Sequence, residues 1–189
     1  MPNWCENKLI ALSTNQEQLK EINELFENAH TGVFEKLLPT PSELLQESIP
    51  SDDNEKAEKF KEKYGAPDWY WWRVNNWGTK WDINETHSLS YHTEYDKTHG
   101  GVNIGAVITG FDTAWAPPEE IIRVISEKYN DVYIHLSYEE PGMGFAGCIA
   151  YLNGQVKAQE QVDMYADVDR VMDDAAFFFE IAQETENNV

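Results

Sequence analysis

Residues 117–138 read PPEEIIRVISEKYNDVYIHLSY and combine a helix pattern with a strand pattern. Proline suits the first turn of a helix and acids suit its positive N-terminus, so residues 117–120 predict a helix start. Four apolar residues at helical spacing predict the buried side of that helix: Ile121, Ile122, Ile125 and Tyr129. From Val132 to Tyr138 apolar and polar residues alternate. This period of two predicts a half-buried strand with His135 on its exposed face.

The start of the chain combines the same two patterns in the opposite order. Residues 7–12 are short and apolar enough for a buried strand. Thr14 and Glu17 then have the spacing of a capping box, which predicts a helix over residues 15–29. Residues 34–38 are predicted as a second extended piece, because the prolines that follow disfavour helix directly before them.

Further strands are predicted in the second half of the chain. Alternation begins at Ser88, and an extended apolar run covers residues 102–111. Asn153-Gly154 is a strong hairpin signal between residues 148–152 and 155–158. Two strand–helix–strand units in succession form a split βαβ arrangement. The predicted fold class is therefore α+β, a ferredoxin-like antiparallel sheet with its helices on one face.

The predicted domain organisation has two additions to this sheet. Residues 1–162 form the ferredoxin-like domain, with a Trp-rich insertion at about 42–85 that includes a solvated surface helix. After the C-terminal hairpin, residues 163–189 form an acidic helical extension packed on that domain. One face of the extension is apolar and consists of Val168, Val171, Met172, Ala175, Phe179 and Ala182.

Four separated strings resemble one known family. They are MPNWCEN at residues 1–7, LPTPSEL at 38–44, NWGTKWD at 76–82 and FDTAWAPP at 111–118. In this order they resemble the Api92-like family, with a YubB-type ferredoxin-like domain, over about residues 1–150. Members occur in phages, prophages and conjugative plasmids, so the resemblance implies a fold and a phage- or plasmid-encoded setting. It implies no reaction and no catalytic residues.

The composition excludes several classes of partner. The chain carries 14 Lys+Arg against 34 Asp+Glu, a formal net charge of −20. Each phosphate contact needs a cation, so direct nucleic-acid binding is not expected, and an anionic membrane surface is equally disfavoured. Two cysteines are too few for a disulfide scaffold, and no apolar stretch is long enough to cross a membrane. We therefore expect a cytoplasmic location, in the host cell if the protein is phage-encoded.

Five of the seven tryptophans lie within residues 69–81, and two interpretations are open. Trp77, Trp81 and Trp115 are predicted to lie in the core, because a tryptophan side chain buries a large apolar area. A binding floor for a nucleotide-like molecule is the alternative, since indole rings stack on bases. The residues of that floor would be Trp69, Trp71, Trp72, Arg73, Lys80 and Asp82.

Metal and catalytic signals are weak. Four residues could supply zinc ligands: His87, His92, Asp96 and His99. Their spacing matches no zinc signature, so no metal and no cofactor is predicted. The glycine-rich and nucleophile motifs of common enzymes are absent from the sequence, and no catalytic residue is predicted. Cys5 is interpreted as a small buried hydrophobe.

Net negative charge is concentrated in the last third of the chain, because few basic residues occur there. Residues 131–189 contain 12 acidic and 2 basic side chains. On the predicted C-terminal helix, four acidic residues lie opposite the apolar face, and Phe177 lies among them. The acidic residues are Asp169, Asp173, Glu180 and Glu184. Such a face either serves solubility or imitates a polyanion for a basic protein.

The leading functional hypothesis is a non-enzymatic phage or plasmid accessory protein that binds and blocks a host factor. Its partner would be a host protein with a basic surface, such as a nucleic-acid-handling or defence protein, bound through the acidic face just described. The alternative is a small-ligand binding module that uses the Trp-rich insertion. An enzyme of unassigned reaction is the third hypothesis.

Overall fold

Six strands and six α-helices form the secondary structure of the residues that the computed structural model describes, which are 3–46, 54–83, 85–96 and 103–163. The strands are β1 (Trp4–Ser13), β2 (Ser88–Asp96), β3 (Ile104–Ala114), β4 (Tyr133–Glu140), β5 (Phe145–Leu152) and β6 (Gln155–Asp163). The helices are α1 (Gln16–Glu27), α2 (Phe34–Leu37), α3 (Ser42–Gln46), α4 (Asn54–Tyr64), α5 (Trp69–Trp77) and α6 (Glu119–Lys128). A single turn of 3-10 helix at Ala29–Thr31 follows α1.

The strands form one antiparallel sheet in the order β2-β3-β1-β4-β5-β6. Central β1 pairs on both sides, so that Ile10 lies opposite Ile108 of β3 and His135 of β4. The predicted hairpin joins β5 and β6 through Asn153 and Gly154, whose φ angles of 50° and 69° suit a tight hairpin turn. The mixed helix and strand architecture with an antiparallel sheet confirms the predicted α+β class.

Helices α1 and α6 pack in one apolar cluster with one face of the sheet, which we call the first face. The predicted stripe of α6 is buried as expected, and α1 contributes Phe26, whose ring stacks 5.7 Å from Phe111 of β3. Leu9 of β1 and Leu136 of β4 complete the centre of this cluster and are inaccessible to solvent. The spacing of these buried residues along the chain follows from the 3.6-residue repeat of the helices and the two-residue repeat of the strands.

The opposite face of the sheet, which we call the second face, is also buried. Its cluster consists of the strand residues Ile10, Leu12, Ile104, Ala106, Tyr133, Ala146, Cys148 and Ala150. His135 is 1% exposed, so its predicted position on a solvent-exposed face is wrong. The alternation in β4 separates two faces of different polarity, and both of these faces are buried. Burial, with a smaller contribution from Lys8, lowers the pKa of His135 to about 4.

Two predictions fail near the start of the chain for local reasons. Residues 34–37 form a helix, and the predicted extended piece is wrong, because Asp82 supplies acceptors for the amides that begin α2. Helix α1 is present, but its cap is Asn15, whose side chain accepts the Gln18 N–H at 3.2 Å. Asparagine is a strong N-cap residue, and it replaces the predicted role of Thr14.

The first part of the segment rich in tryptophan forms helix α5, which contains Trp69, Trp71, Trp72 and Trp77. Asp68 caps α5 by accepting the Trp71 N–H at 2.9 Å. Gly78 ends the helix with a left-handed φ of 85°. Helix α4 is largely exposed, as predicted for a surface helix.

The predicted C-terminal extension lies outside the described residues from residue 164 onward, and with it the acidic face at Asp169, Asp173, Phe177, Glu180 and Glu184. Among the helices of the described ranges, none is long and apolar enough to cross a membrane.

A candidate aromatic and acidic pocket

A cavity of about 290 Å³ opens where the start of β1 meets the end of β3. Trp4 of β1 pairs with Ala114 of β3 at this point. The segment that follows α5 forms the other wall. Eight residues line the cavity, which we call the Trp4 pocket: Trp4, Trp81, Asp82, Glu85, His87, Asp112, Thr113 and Ala114.

Two features hold the segment after α5 against the end of β3 and the residues that follow it. A Cβ at Gly78 would lie 2.9 Å from the carbonyl oxygen of Pro117, so only glycine permits this close approach. The Thr79 hydroxyl donates to the Ala114 carbonyl at 3.0 Å. The adjoining residues Lys80 and Trp81 are thereby placed beside Trp115 and the pocket mouth.

Three tryptophans at this site are exposed to solvent. Trp4 is 47% exposed, Trp81 38% and Trp115 46%. The ring centroids of Trp4 and Trp81 are 6.1 Å apart. The core prediction is therefore wrong for Trp81 and Trp115, and it is confirmed for Trp77, which is 0% exposed. A group of exposed indoles is characteristic of interaction sites, because leaving that much apolar area in water costs free energy.

The Lys80 ammonium lies over two of these rings. Its Nζ is 3.9 Å from the centroid of Trp81 and 4.1 Å from that of Trp115. Both distances are well within the range of a cation–π interaction, for which indole is the best aromatic partner. These rings therefore already hold a cation in the folded protein.

Trp115 has an unusual backbone conformation. Its φ of 70° lies in the left-handed region, which costs about 1–2 kcal/mol for a residue with a Cβ. Its backbone N–H donates to the Asn3 carbonyl at 3.0 Å, and this bond helps to fix the conformation. Strain of this kind is concentrated at functional sites.

The acidic side of the pocket is built around Asp112. His87 Nε2 lies 2.9 Å from one oxygen of the Asp112 carboxylate. The second oxygen of Asp112 is buried and has no hydrogen-bond donor among the described residues. A buried carboxylate oxygen without a donor is costly, and it adds uncompensated negative charge to this side of the pocket. Glu85 adds an exposed carboxylate at the rim.

Asp82 contributes to the pocket wall, although its oxygens are engaged elsewhere. They accept the backbone N–H groups of Val33, Phe34 and Glu35 at 2.9–3.0 Å and that of Ile83 at 2.8 Å. Its role is therefore to anchor α2.

The hydroxyl and thiol groups nearest the pocket are not activated for nucleophilic chemistry. The Thr113 hydroxyl donates to the Ala116 carbonyl at 2.7 Å and accepts from the Asn7 amide at 2.9 Å. Burial raises the pKa of Cys5 to about 12, so its thiol stays protonated at neutral pH.

The structure separates the residues of the predicted binding floor. Lys80 and Asp82 lie at the Trp4 pocket. Arg73 is held in a partly buried network in which it donates to Glu35 at 2.6 Å and Thr40 at 2.9 Å. Of the three tryptophans, Trp72 is buried, Trp69 is partly buried and Trp71 is 49% exposed.

The predicted floor omits Trp4, Glu85 and Asp112, which the sheet register brings to the pocket. The sequence pattern indicates His87 only as a possible zinc ligand. The described residues contain no group of three side chains that could hold a metal ion, and His99 lies outside them. No sequence signal at Trp4 indicates its distant neighbours, since only the pairing of β1 with β3 brings them together.

Comparisons with known proteins concern the fold and the family. The crystal structure of protein Api92 from Yersinia pseudotuberculosis is 10% identical to this chain, with a TM-score of 0.48. The match covers 86% of this chain and 98% of the Api92 chain. No curated protein matches the chain. The family model described as the ferredoxin-like domain in Api92-like protein matches residues 76–177. This match begins and ends later in the chain than the resemblance found in the sequence, which covers about residues 1–150. The chain is a member of the Api92-like family.

Proposed function

We propose that this protein is a non-enzymatic binding protein that captures a partner with a basic surface, and that the Trp4 pocket receives a cationic side chain of that partner. The observation that supports this proposal most directly is the Lys80 ammonium over the rings of Trp81 and Trp115. Indole faces at this site are oriented to hold a positive charge.

Charge complementarity supports the same chemistry of partner. The pocket walls contain the carboxylates of Glu85 and Asp112, and the whole chain carries −20. An incoming ammonium or guanidinium group would lie beside the carboxylates of Glu85 and Asp112 while its methylene groups cover exposed indole. Long-range attraction would also accelerate association at low ionic strength.

A nucleotide-like ligand is the second candidate, favoured by the exposed indole rings alone. Its phosphates would lie beside Glu85 and Asp112, while Lys80 lies over the ring of Trp81. Like-charge repulsion makes this ligand the weaker candidate.

Three finer hypotheses accompany this proposal. The partner is a host factor, and the protein is a phage or plasmid product that blocks it in the host cytoplasm. The acidic residues Asp169, Asp173, Glu180 and Glu184, with Phe177 among them, extend the negative surface that meets the partner. Residues 42–85 are an insertion in a split βαβ domain of the YubB type, and the segment that forms one wall of the pocket is its C-terminal end.

Isothermal titration with three probes tests the proposal: a short lysine-rich peptide, a glutamate-rich peptide of equal length and AMP. We expect the lysine-rich peptide to bind and its affinity to fall as salt rises. Trp81→Ala should weaken binding about tenfold or more, the loss typical of an aromatic anchor. Trp71→Ala is the control, because Trp71 is an exposed tryptophan like Trp81, at 49% against 38%, and does not line the pocket.

Two results would contradict the proposal. Binding of AMP in place of the lysine-rich peptide would establish the nucleotide-like alternative. Equal affinities of Trp81→Ala, Trp71→Ala and wild-type protein for the peptide would remove the pocket as the binding site.

A further inference from the structure

The folded chain already contains one site that holds a guanidinium group, at Arg73. The guanidinium carbon of Arg73 lies 4.6 Å from the ring centroid of Trp77 and 5.2 Å from that of Trp69. The same group donates to the Glu35 carboxylate at 2.6 Å and to the Thr40 hydroxyl at 2.9 Å. Indole faces stack on the flat guanidinium, while oxygen acceptors take the N–H groups at its edge. Indole combined with carboxylate is therefore the composition with which this protein holds an arginine.

The ammonium group of Lys80 has different surroundings. Its Nζ lies over the rings of Trp81 and Trp115, at 3.9 Å and 4.1 Å from their centroids. No ion pair with a carboxylate of the described residues accompanies these two contacts. An ammonium is a compact point charge, so two ring faces are enough to hold it.

The Trp4 pocket combines indole with carboxylate in the same way as the site that holds the internal guanidinium. Trp4 and Trp81 line one part of the pocket, and the carboxylates of Glu85 and Asp112 line another. Glu85 is exposed, so its oxygens are accessible to N–H donors of a ligand. Asp112 is paired with His87 and contributes mainly its negative charge.

The two indoles of the pocket are arranged as a pair and not as a cage. Their ring centroids are 6.1 Å apart and their planes meet at 43°, so the two rings pack against each other. A cage for a methylated ammonium group needs aromatic rings on several sides of the cation. A flat group needs only one exposed ring face, and Trp4 is 47% exposed. This arrangement favours a planar cation.

We propose that the cationic side chain received by the Trp4 pocket is an arginine, whose guanidinium group lies flat on the exposed indole of Trp4 and donates to the Glu85 carboxylate. This inference rests on the proposed function and selects among the cations that the proposed function allows. A lysine ammonium is attracted by the same negative charges. It lacks the planar group with edge donors that uses a ring face and a carboxylate together.

Isothermal titration with four peptides of equal length and spacing tests the choice of cation. The peptides carry arginine, lysine, trimethyllysine or citrulline, and citrulline keeps the planar shape of arginine without its charge. We expect the arginine peptide to bind at least about fivefold more tightly than the lysine peptide. The trimethyllysine peptide should bind no more tightly than the lysine peptide, because the pocket is not a cage. The citrulline peptide should bind at least about tenfold more weakly than the arginine peptide.

Trp4→Leu locates this preference in the pocket. Leucine keeps an apolar side chain and removes the ring face, so the ratio of arginine to lysine affinity should fall below about twofold. Trp71→Leu is the matched control and should keep the wild-type ratio, because Trp71 is 49% exposed against 47% for Trp4 and does not line the pocket. Thermal melts verify that both variants fold. If Trp4→Leu does not fold, Glu85→Gln at the exposed rim replaces it and should also lower the ratio.

The possible results separate this inference from the proposed function. Equal affinities for the arginine and lysine peptides overturn the arginine assignment and leave the proposed function intact. Tighter binding of the trimethyllysine peptide, equal binding of the citrulline peptide, or an arginine preference that both Trp4→Leu and Glu85→Gln retain also overturns it. Failure of every cationic peptide to bind contradicts the proposed function itself, and the arginine assignment with it.

Discussion

The carboxylate of Asp82 accepts the backbone N–H of Phe34 at 2.9 Å, which joins two segments far apart in the chain. It accepts the neighbouring amides of Val33 and Glu35 as well. Gly32 makes room for this contact, since a Cβ there would lie 2.9 Å from an Asp82 oxygen. One side chain therefore fixes both the start of α2 and a wall of the Trp4 pocket.

Asp82→Ala should lower the free energy of unfolding by about 2–3 kcal/mol, because several amides lose a charged acceptor. Asp82→Asn retains one acceptor oxygen and should cost about 1 kcal/mol. Urea unfolding followed by circular dichroism measures both changes. Asp68→Ala, which removes a cap with one hydrogen bond on α5, is the control and should cost about 1 kcal/mol. A smaller loss for Asp82→Ala than for Asp68→Ala would contradict this role.

Local periodicity explains which elements could be predicted from the sequence. The stripe of α6 and the hairpin at Asn153-Gly154 depend on neighbouring residues, and both are present. Helix α5 could have been found as well, because Asp68 and Gly78 bracket its 9 residues as N-cap and C-terminal glycine. The burial of His135 could not have been predicted from the sequence. Alternation along β4 shows that the two faces of the strand differ in polarity, and it does not show that both faces are covered.

The pocket could be predicted only in part. The segment with Lys80 and Asp82 is conspicuous in the sequence because tryptophans surround it. Trp4 and Asp112, by contrast, reach the pocket through the register of β1 and β3, in which Trp4 pairs with Ala114 and Glu6 with Asp112. Pairing over this separation is a property of the whole sheet, and no local pattern encodes it.

Truncation of Trp77 should destabilise the protein much more than truncation of Trp81. Trp77 is fully buried, and its indole N–H donates to the Leu38 carbonyl at 3.0 Å. Trp77→Ala should therefore cost about 3–5 kcal/mol through the cavity that it leaves. Trp81→Ala removes an exposed ring and a cation–π contact and should cost about 1 kcal/mol or less. Thermal melts of the two variants measure the difference, and similar midpoints would refute the assignment of Trp77 to the core.

Trp115 allows a direct measurement of backbone strain. Its positive φ disfavours any residue with a Cβ, and glycine adopts this conformation without that penalty. We expect Trp115→Gly to be more stable than Trp115→Ala by about 1 kcal/mol in urea unfolding. Both variants lose the same ring, so the comparison isolates the backbone. The reverse order of stability would show that the left-handed conformation is not retained.

His135 should make the folded protein sensitive to acid. Its pKa is lowered from 6.5 to about 4 by burial, so between these values the unfolded chain takes up a proton that the folded protein does not. Stability therefore falls as the pH drops below about 6.5, and the loss from this residue is complete below about pH 4. Between pH 7 and pH 5 this loss amounts to about 2 kcal/mol.

His135→Leu removes the titrating group and keeps the site apolar. Its absolute stability can differ from that of the wild type at every pH, so the relevant quantity is the change in unfolding free energy between pH 7 and pH 5. That change should be smaller in the variant by about 2 kcal/mol. His30→Leu, at an exposed histidine, is the control and should follow the wild-type curve. Parallel pH curves for His135→Leu and wild type would mean that His135 can be protonated without unfolding, and the second face would then be open to water at this position.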